Sequence, residues 1–149
     1  MSDERLGRRG LMTLTGAALG ATALGPACAI LRGGAQHPLL AVTPNELAGA
    51  TLRLPLSQLT QTVLVRPGEP WPELLVAPAG SAFHVVTAHC THRGCVVEES
   101  AAGWSCPCHG SQFAVDGSVT HGPAKQPLGS PPARVEGDSL VIDLSPLRA

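Results

Sequence analysis

The sequence predicts a small all-β domain, an antiparallel sandwich or barrel, on three observations. Its apolar segments are short and rich in Val, Leu and Thr. Turn residues separate them at close intervals. Glycine (17) and proline (14) are frequent enough in 149 residues to interrupt any long helix. In chain order, residues 51–56, 62–66 and 74–77 read as strands, with turns at Arg66-Pro67-Gly68 and Pro78-Ala79-Gly80. Residues 82–88 form an apolar strand running directly toward Cys90. Residues 96–99 and 103–105 flank Ala101-Ala102 as a hairpin, and Asp116-Gly117 turns between 113–115 and 118–120. A last hairpin joins 133–135 to 140–144 through Gly137-Asp138. Residues 44–47 and 55–59 each allow one helical turn. Trp104 is expected in the core, and Trp71, between Pro70 and Pro72, as a loop anchor.

Residues 1–31 read as a targeting segment. A charged head carries the pair Arg8-Arg9, and a mildly apolar run rich in Gly, Ala and Thr follows from Leu11 to about Leu24. This resembles a twin-arginine export signal, with Gly7 in place of the usual Ser or Thr and Leu11 in place of Phe. Three fates fit it: cleavage at Ala27-Cys28-Ala29, lipidation of Cys28, or retention of residues 11–31 as a membrane anchor. Each puts the domain on the periplasmic side of the cell membrane, attached or free. Residues 32–50, with Gly33-Gly34, Pro38 and Pro44, read as a linker, leaving 51–149 as the domain. Beyond residue 29 the chain has seven basic and nine acidic residues and no basic run, which excludes a nucleic-acid partner on electrostatic grounds.

Four of the five cysteines, Cys90, Cys95, Cys106 and Cys108, fall between positions 90 and 108, with His92 among them and His109 just beyond. That density means metal, disulfide or both. The stretches Cys90-Thr91-His92-Arg93-Gly94-Cys95 and Cys106-Pro107-Cys108-His109-Gly110-Ser111 read C-x-H and C-x-x-H, each with one extra cysteine. Each follows a strand and carries Gly or Pro, so both are expected as tight loops at the tip of a sheet. Zinc takes the same Cys2His2 set, but the C-x-H spacing is unusual for it and two cysteines are left without a role. A pure disulfide scaffold leaves His92 and His109 unexplained. His84, His89 and His121 are expected as ordinary polar residues rather than ligands.

The pair C-T-H-x-G-C and C-P-C-H-G-S resembles the Rieske iron–sulfur proteins, in the disulfide-containing branch found in cytochrome bc complexes. The resemblance covers residues 60–144 and is strongest at 90–111. It implies a Rieske-type β-sandwich with a cluster-binding subdomain of two loops, and one [2Fe–2S] cluster as cofactor. It implies that Cys90 and Cys106 bind one iron, that His92 and His109 bind the other, and that Cys95 and Cys108 form a disulfide. Ser111 stands where the family donates a hydrogen bond to a bridging sulfide. Phe113 stands where high-potential members place a tyrosine bonded to a cysteine sulfur, so one donor is missing. Gly122-Pro123-Ala124 resembles the family's proline loop, which covers a third side of the cluster. Two ferric ions, two sulfides, two thiolates and two neutral imidazoles sum to zero charge. Adding an electron there costs less than at an all-cysteine cluster, hence the high Rieske potentials of about −150 to +300 mV.

The resemblance implies one-electron transfer. One version is a carrier for some exported oxidoreductase, its partner a cytochrome or a molybdenum enzyme. The other is the quinol-oxidising subunit of a cytochrome bc complex. Arg93 favours the first, because quinol-oxidising members carry leucine there to pack on an apolar docking surface. The 13-residue interval between His92 and Cys106 is short and points the same way. The Rieske domains of aromatic-ring hydroxylation lack the two disulfide cysteines and an export signal.

Overall fold

Alternating apolar residues set the layers of this fold. The computed structural model describes residues 37–148; the export and lipidation features of residues 1–31 lie outside the described residues. Twelve strands occur among the described residues. They are β1 (Leu39–Ala41), β2 (Leu47–Ala48), β3 (Thr51–Pro55), β4 (Val63–Arg66), β5 (Leu74–Ala79), β6 (Ala82–Thr87), β7 (Glu98–Ser100), β8 (Gly103–Ser105), β9 (Gln112–Phe113), β10 (Val119–His121), β11 (Ala133–Glu136) and β12 (Ser139–Asp143). Two 3-10 turns, Leu56–Gln58 and Ser145–Leu147, are the only helical pieces there. No helix among the described residues is long and apolar enough to cross a membrane.

The strands form three four-stranded sheets, ordered β1-β4-β5-β6, β11-β12-β3-β2 and β10-β9-β8-β7. All pairings are antiparallel except β1 with β4, which run parallel. The first sheet is shared by two cores. Leu74 and Val76 of β5 and Val85 of β6 face a core with Leu52 and Leu54 of β3 and Leu140 and Ile142 of β12. Leu75 and Ala77 of β5 and Val86 of β6 face the other way, into a core with Trp104, Phe113, Cys90 and Cys106. A strand buried on both faces reads as a continuous apolar run, which is why residues 74–77 show no alternation of polarity.

One boundary differs from the expectation. Residues 39–41 and 47–48 fall inside the stretch 32–50 read as linker, yet β1 pairs with β4 and β2 with β3. Leu40, Val42 and Leu47 pack against the first core, so burial overrides the turn-forming glycines and prolines around them. The hairpin carrying Trp104 also slides by about two residues: the strand expected at 96–99 is Glu98–Ser100, and His89 and Val96 make an isolated bridge before it.

Candidate metal centre

Two loops of one design lie at the end of the second core. In the first, the Cys90 N–H donates to the Cys95 carbonyl and the Gly94 N–H to the Cys90 carbonyl, both at 2.8 Å. In the second, the Cys106 N–H donates to the Ser111 carbonyl at 2.8 Å and the Gly110 N–H to the Cys106 carbonyl at 2.9 Å. Each loop is a six-residue turn closed twice on itself. Each needs a left-handed residue at its fifth position, where Gly94 has φ 74° and Gly110 has φ 77°. Each begins as a strand of the second core runs out, β6 before Cys90 and β8 before Cys106.

A disulfide between Cys95 and Cys108 joins the loops. Cys90 and Cys106 are free thiols, buried, and hydrogen-bonded to each other. Burial pushes the Cys106 thiol above its ordinary range; the Cys108 N–H opposes this, the Cys90 thiol adds to it, and the His109 N–H opposes it. Those two N–H groups are aimed to stabilise a thiolate. The rings of His92 and His109 meet edge to face with centroids 4.9 Å apart. His109 is exposed, while His92 Nδ1 is buried with no hydrogen-bond partner. An imidazole nitrogen buried without a partner costs free energy unless something else occupies it.

The sulfurs of Cys95, Cys106 and Cys108 lie within 4.8 Å of one another. Two of those three are locked in the disulfide and have no thiolate to offer, so that trio is not a ligand set. The donors able to hold a metal group are Cys90, Cys106, His92 and His109. Two free buried thiols, two facing imidazoles and a bare imidazole nitrogen fit a mixed thiolate–imidazole cluster.

Ser111 is fully buried, and its hydroxyl oxygen accepts the Ala124 N–H at 3.0 Å. Thr91 donates its hydroxyl to the Gln126 carbonyl at 2.6 Å. Residues 122–126, with exposed Gly122 and Pro123, are thereby fastened to both loops. Neither tie was foreseen from sequence: both span long intervals along the chain, and only the position of Thr91 inside the motif hinted at one. Phe113 is buried and sits across from Trp104 in the β8–β9 pair. The Trp104 indole N–H donates to the Val115 carbonyl at 3.3 Å, as its burial requires. His89 lies 3.6 Å from Glu73, whose carboxylate also pairs with Arg66.

Residues 56–132 match the family described as the Rieske [2Fe-2S] domain. The chain belongs to that family. It is 39% identical over 72 residues to the cytochrome b6-f complex iron-sulfur subunit of Chlorobaculum thiosulfatiphilum, covering 47% of this chain and 40% of that subunit. It is 49% identical over 77 residues to the chloroplastic cytochrome b6-f complex iron-sulfur subunit of Bigelowiella natans, covering 49% of this chain and 30% of that one. The chain therefore spans two fifths or less of the length of these relatives. The solved ferredoxin of carbazole 1,9a-dioxygenase from Nocardioides aromaticivorans IC177 shares the fold, with a TM-score of 0.54 and 20% identity over 64% of this chain and 98% of that one. A Rieske domain binds a [2Fe–2S] cluster, and the Cys95–Cys108 disulfide matches the disulfide-containing branch.

Proposed function

We propose that this Rieske domain is a one-electron carrier in an exported protein, serving a respiratory or other periplasmic oxidoreductase. In this reading Cys90 and Cys106 hold one iron, and His92 and His109 hold the other. The observation that carries it is the pair of matching loops, which leaves two buried thiols and two facing imidazoles at one end of the fold. The bound cluster supplies one reversible electron at a time. The chain's own part is to hold and tune it. The N–H groups of Cys108 and His109 stabilise the Cys106 thiolate, and the buried Ser111 hydroxyl is held in place by the Ala124 N–H. Exposed His109 brings the donor set to the surface, where a partner can approach.

The disulfide supports an oxidising compartment, and residues 1–31 are read as the twin-arginine signal or anchor that delivers the domain there. Anaerobically purified protein is expected to hold iron and acid-labile sulfide at two each per chain, and to lose both in Cys106→Ser. Survival of the wild-type spectrum in that variant contradicts the ligand assignment. Arg8→Lys with Arg9→Lys is expected to leave the protein in the cytoplasm.

A second reading is the quinol-oxidising iron–sulfur subunit of a cytochrome bc-type complex. The naming of both relatives above as cytochrome b6-f subunits favours it. Against it stands Arg93, exposed on the first loop and without an ion pair among the described residues. A quinol analogue mixed with oxidised protein separates the two: rapid reduction supports the second reading, and reduction that appears only in Arg93→Leu supports the first.

A further inference from the structure

We infer that the cluster end of the domain is a cationic docking surface for an acidic redox protein, one whose electron-entry site is ringed by carboxylates. The inference rests on the carrier reading above and names the partner's chemistry.

The described residues carry six Lys/Arg against nine Asp/Glu, so this part of the chain is net acidic. Its positive charge is unevenly used. Arg53 and Arg134 are tied to Glu136, and Arg66 to Glu73. Arg93 and Lys125 are exposed and have no ion pair among the described residues, and both belong to the cluster end. Arg93 lies inside the first loop, between His92 and Gly94. Lys125 lies between two residues fastened to the loops: the Ala124 N–H donates to Ser111 and the Gln126 carbonyl accepts from Thr91. The two ties hold the Lys125 backbone beside both loops.

Neither loop nor residues 122–126 carries a carboxylate; exposed Glu99 accepts a hydrogen bond from Thr62, and Asp116 accepts from Ser118. Residues 88–97, 100–115 and 117–135 contain no Asp or Glu. Glu73, 3.6 Å from His89, is already paired with Arg66. Glu98, at the start of β7, is half-buried. Other groups exposed at this end, Pro107, His109, His121, Gly122 and Pro123 among them, bring no negative charge.

An acidic domain with a basic tip is oriented by a partner's field before contact, tip first. Pressing Arg93 and Lys125 onto an apolar surface costs their hydration with nothing in return. A carboxylate-bearing surface offsets that cost and brings the exposed His109 edge nearest to the acceptor.

The test uses two small oxidants of opposite charge on the reduced, cluster-loaded protein: ferricyanide and tris(1,10-phenanthroline)cobalt(III). In each reaction one electron leaves the protein and lowers the oxidant's metal by one oxidation state. The ferricyanide rate is expected to fall as ionic strength rises, despite the net acidic charge, and the cobalt rate to rise. Arg93→Glu and Lys125→Glu are each expected to lower the low-salt ferricyanide rate about tenfold, and the double variant to invert its salt slope. The slope is read within each variant, so a change in driving force does not set its sign. Arg148→Glu alters net charge equally but lies beside Leu47 and Trp71, which pack on the first core, and is expected to leave the slope as in wild type. Redox-inert hexacyanocobaltate(III) is expected to compete with ferricyanide in wild type and not in the double variant. A ferricyanide rate that climbs with salt, or an Arg148→Glu effect equal to that of Arg93→Glu, overturns the docking inference. The reduced-state EPR signal of each sample tells the failures apart. A wild-type sample without a cluster signal sinks the carrier reading and this inference together; a normal signal with slopes set by net charge sinks the inference alone.

Discussion

The Ser111 hydroxyl has one oxygen and one hydrogen, and the fold employs only the first. The oxygen accepts the Ala124 N–H, which is the hydroxyl's only hydrogen bond among the described residues, so in the proposed site its hydrogen would be free to donate to a bridging sulfide. A hydrogen bond to a charged acceptor contributes about 1.5–3 kcal/mol. Only the part of that energy gained on reduction moves the potential, so for one electron the shift is at most on the order of 100 mV. Ser111→Ala is therefore expected to lower the midpoint potential by up to that amount in a redox titration, and an unchanged potential removes the assigned role. Phe113 shares a buried cluster with Cys90 and Cys106, so Phe113→Tyr brings a hydroxyl near the thiolates and is expected to raise the potential; a fall contradicts the reading. Both positions were singled out only through the family resemblance, which marks the second and fourth residues after His109. The Ala124 N–H that fixes Ser111 was not, since a backbone group 13 residues away carries no side-chain signature.

At the scale of the element, the two loops depend on their cross-link and on the hairpin behind them. Cys95 and Cys108 are 13 residues apart, and closing a loop of that size stabilises by about 3 kcal/mol in the chain-entropy account. The double variant Cys95→Ser, Cys108→Ser is expected to lose that order of stability in denaturant unfolding; an unshifted midpoint argues that the cross-link has no structural role. Gly103 was legible only as a hairpin residue. In the fold its φ is 137°, and an added Cβ would lie 2.3 Å from the Phe113 carbonyl oxygen and 2.6 Å from the Ala114 carbonyl carbon. Both obstacles are backbone, so Gly103→Ala is expected to cost about 3 kcal/mol and to displace the second loop. Across β3, β11 and β12, hydrogen bonds from Arg134 first and Arg53 second hold the Glu136 carboxyl below its ordinary value. The stability this brings is present above the unfolded-state pKa, near 4.5, and is lost as pH falls through the lower folded value. Glu136→Gln is expected to flatten the acid side of the stability profile slightly, and added salt to do the same, because the group is exposed.

For the whole molecule, the layered plan was only partly readable. The strands at 51–56, 62–66, 74–77 and 82–88 stood out because β-branched and leucine runs end at clear turns. That residues 74–77 serve two cores at once was hidden, since an apolar run does not say which layers it separates. β1 was missed because its partner lies far along the chain, Leu39 opposite Leu64, and β2 because a two-residue strand carries no alternation; Pro38 and Pro44 imitate a linker around both. The double-cored sheet gives the metal centre a firm base: β6 leads directly into Cys90, and the loops grow from the core that holds Trp104 and Phe113. In the proposed site two imidazoles and two thiolates share one cluster. Nitrogen hyperfine spectroscopy of the reduced protein tests it most directly. Two strongly coupled histidine nitrogens are expected, with one lost in His109→Cys. A reduced signal with no nitrogen coupling contradicts the account.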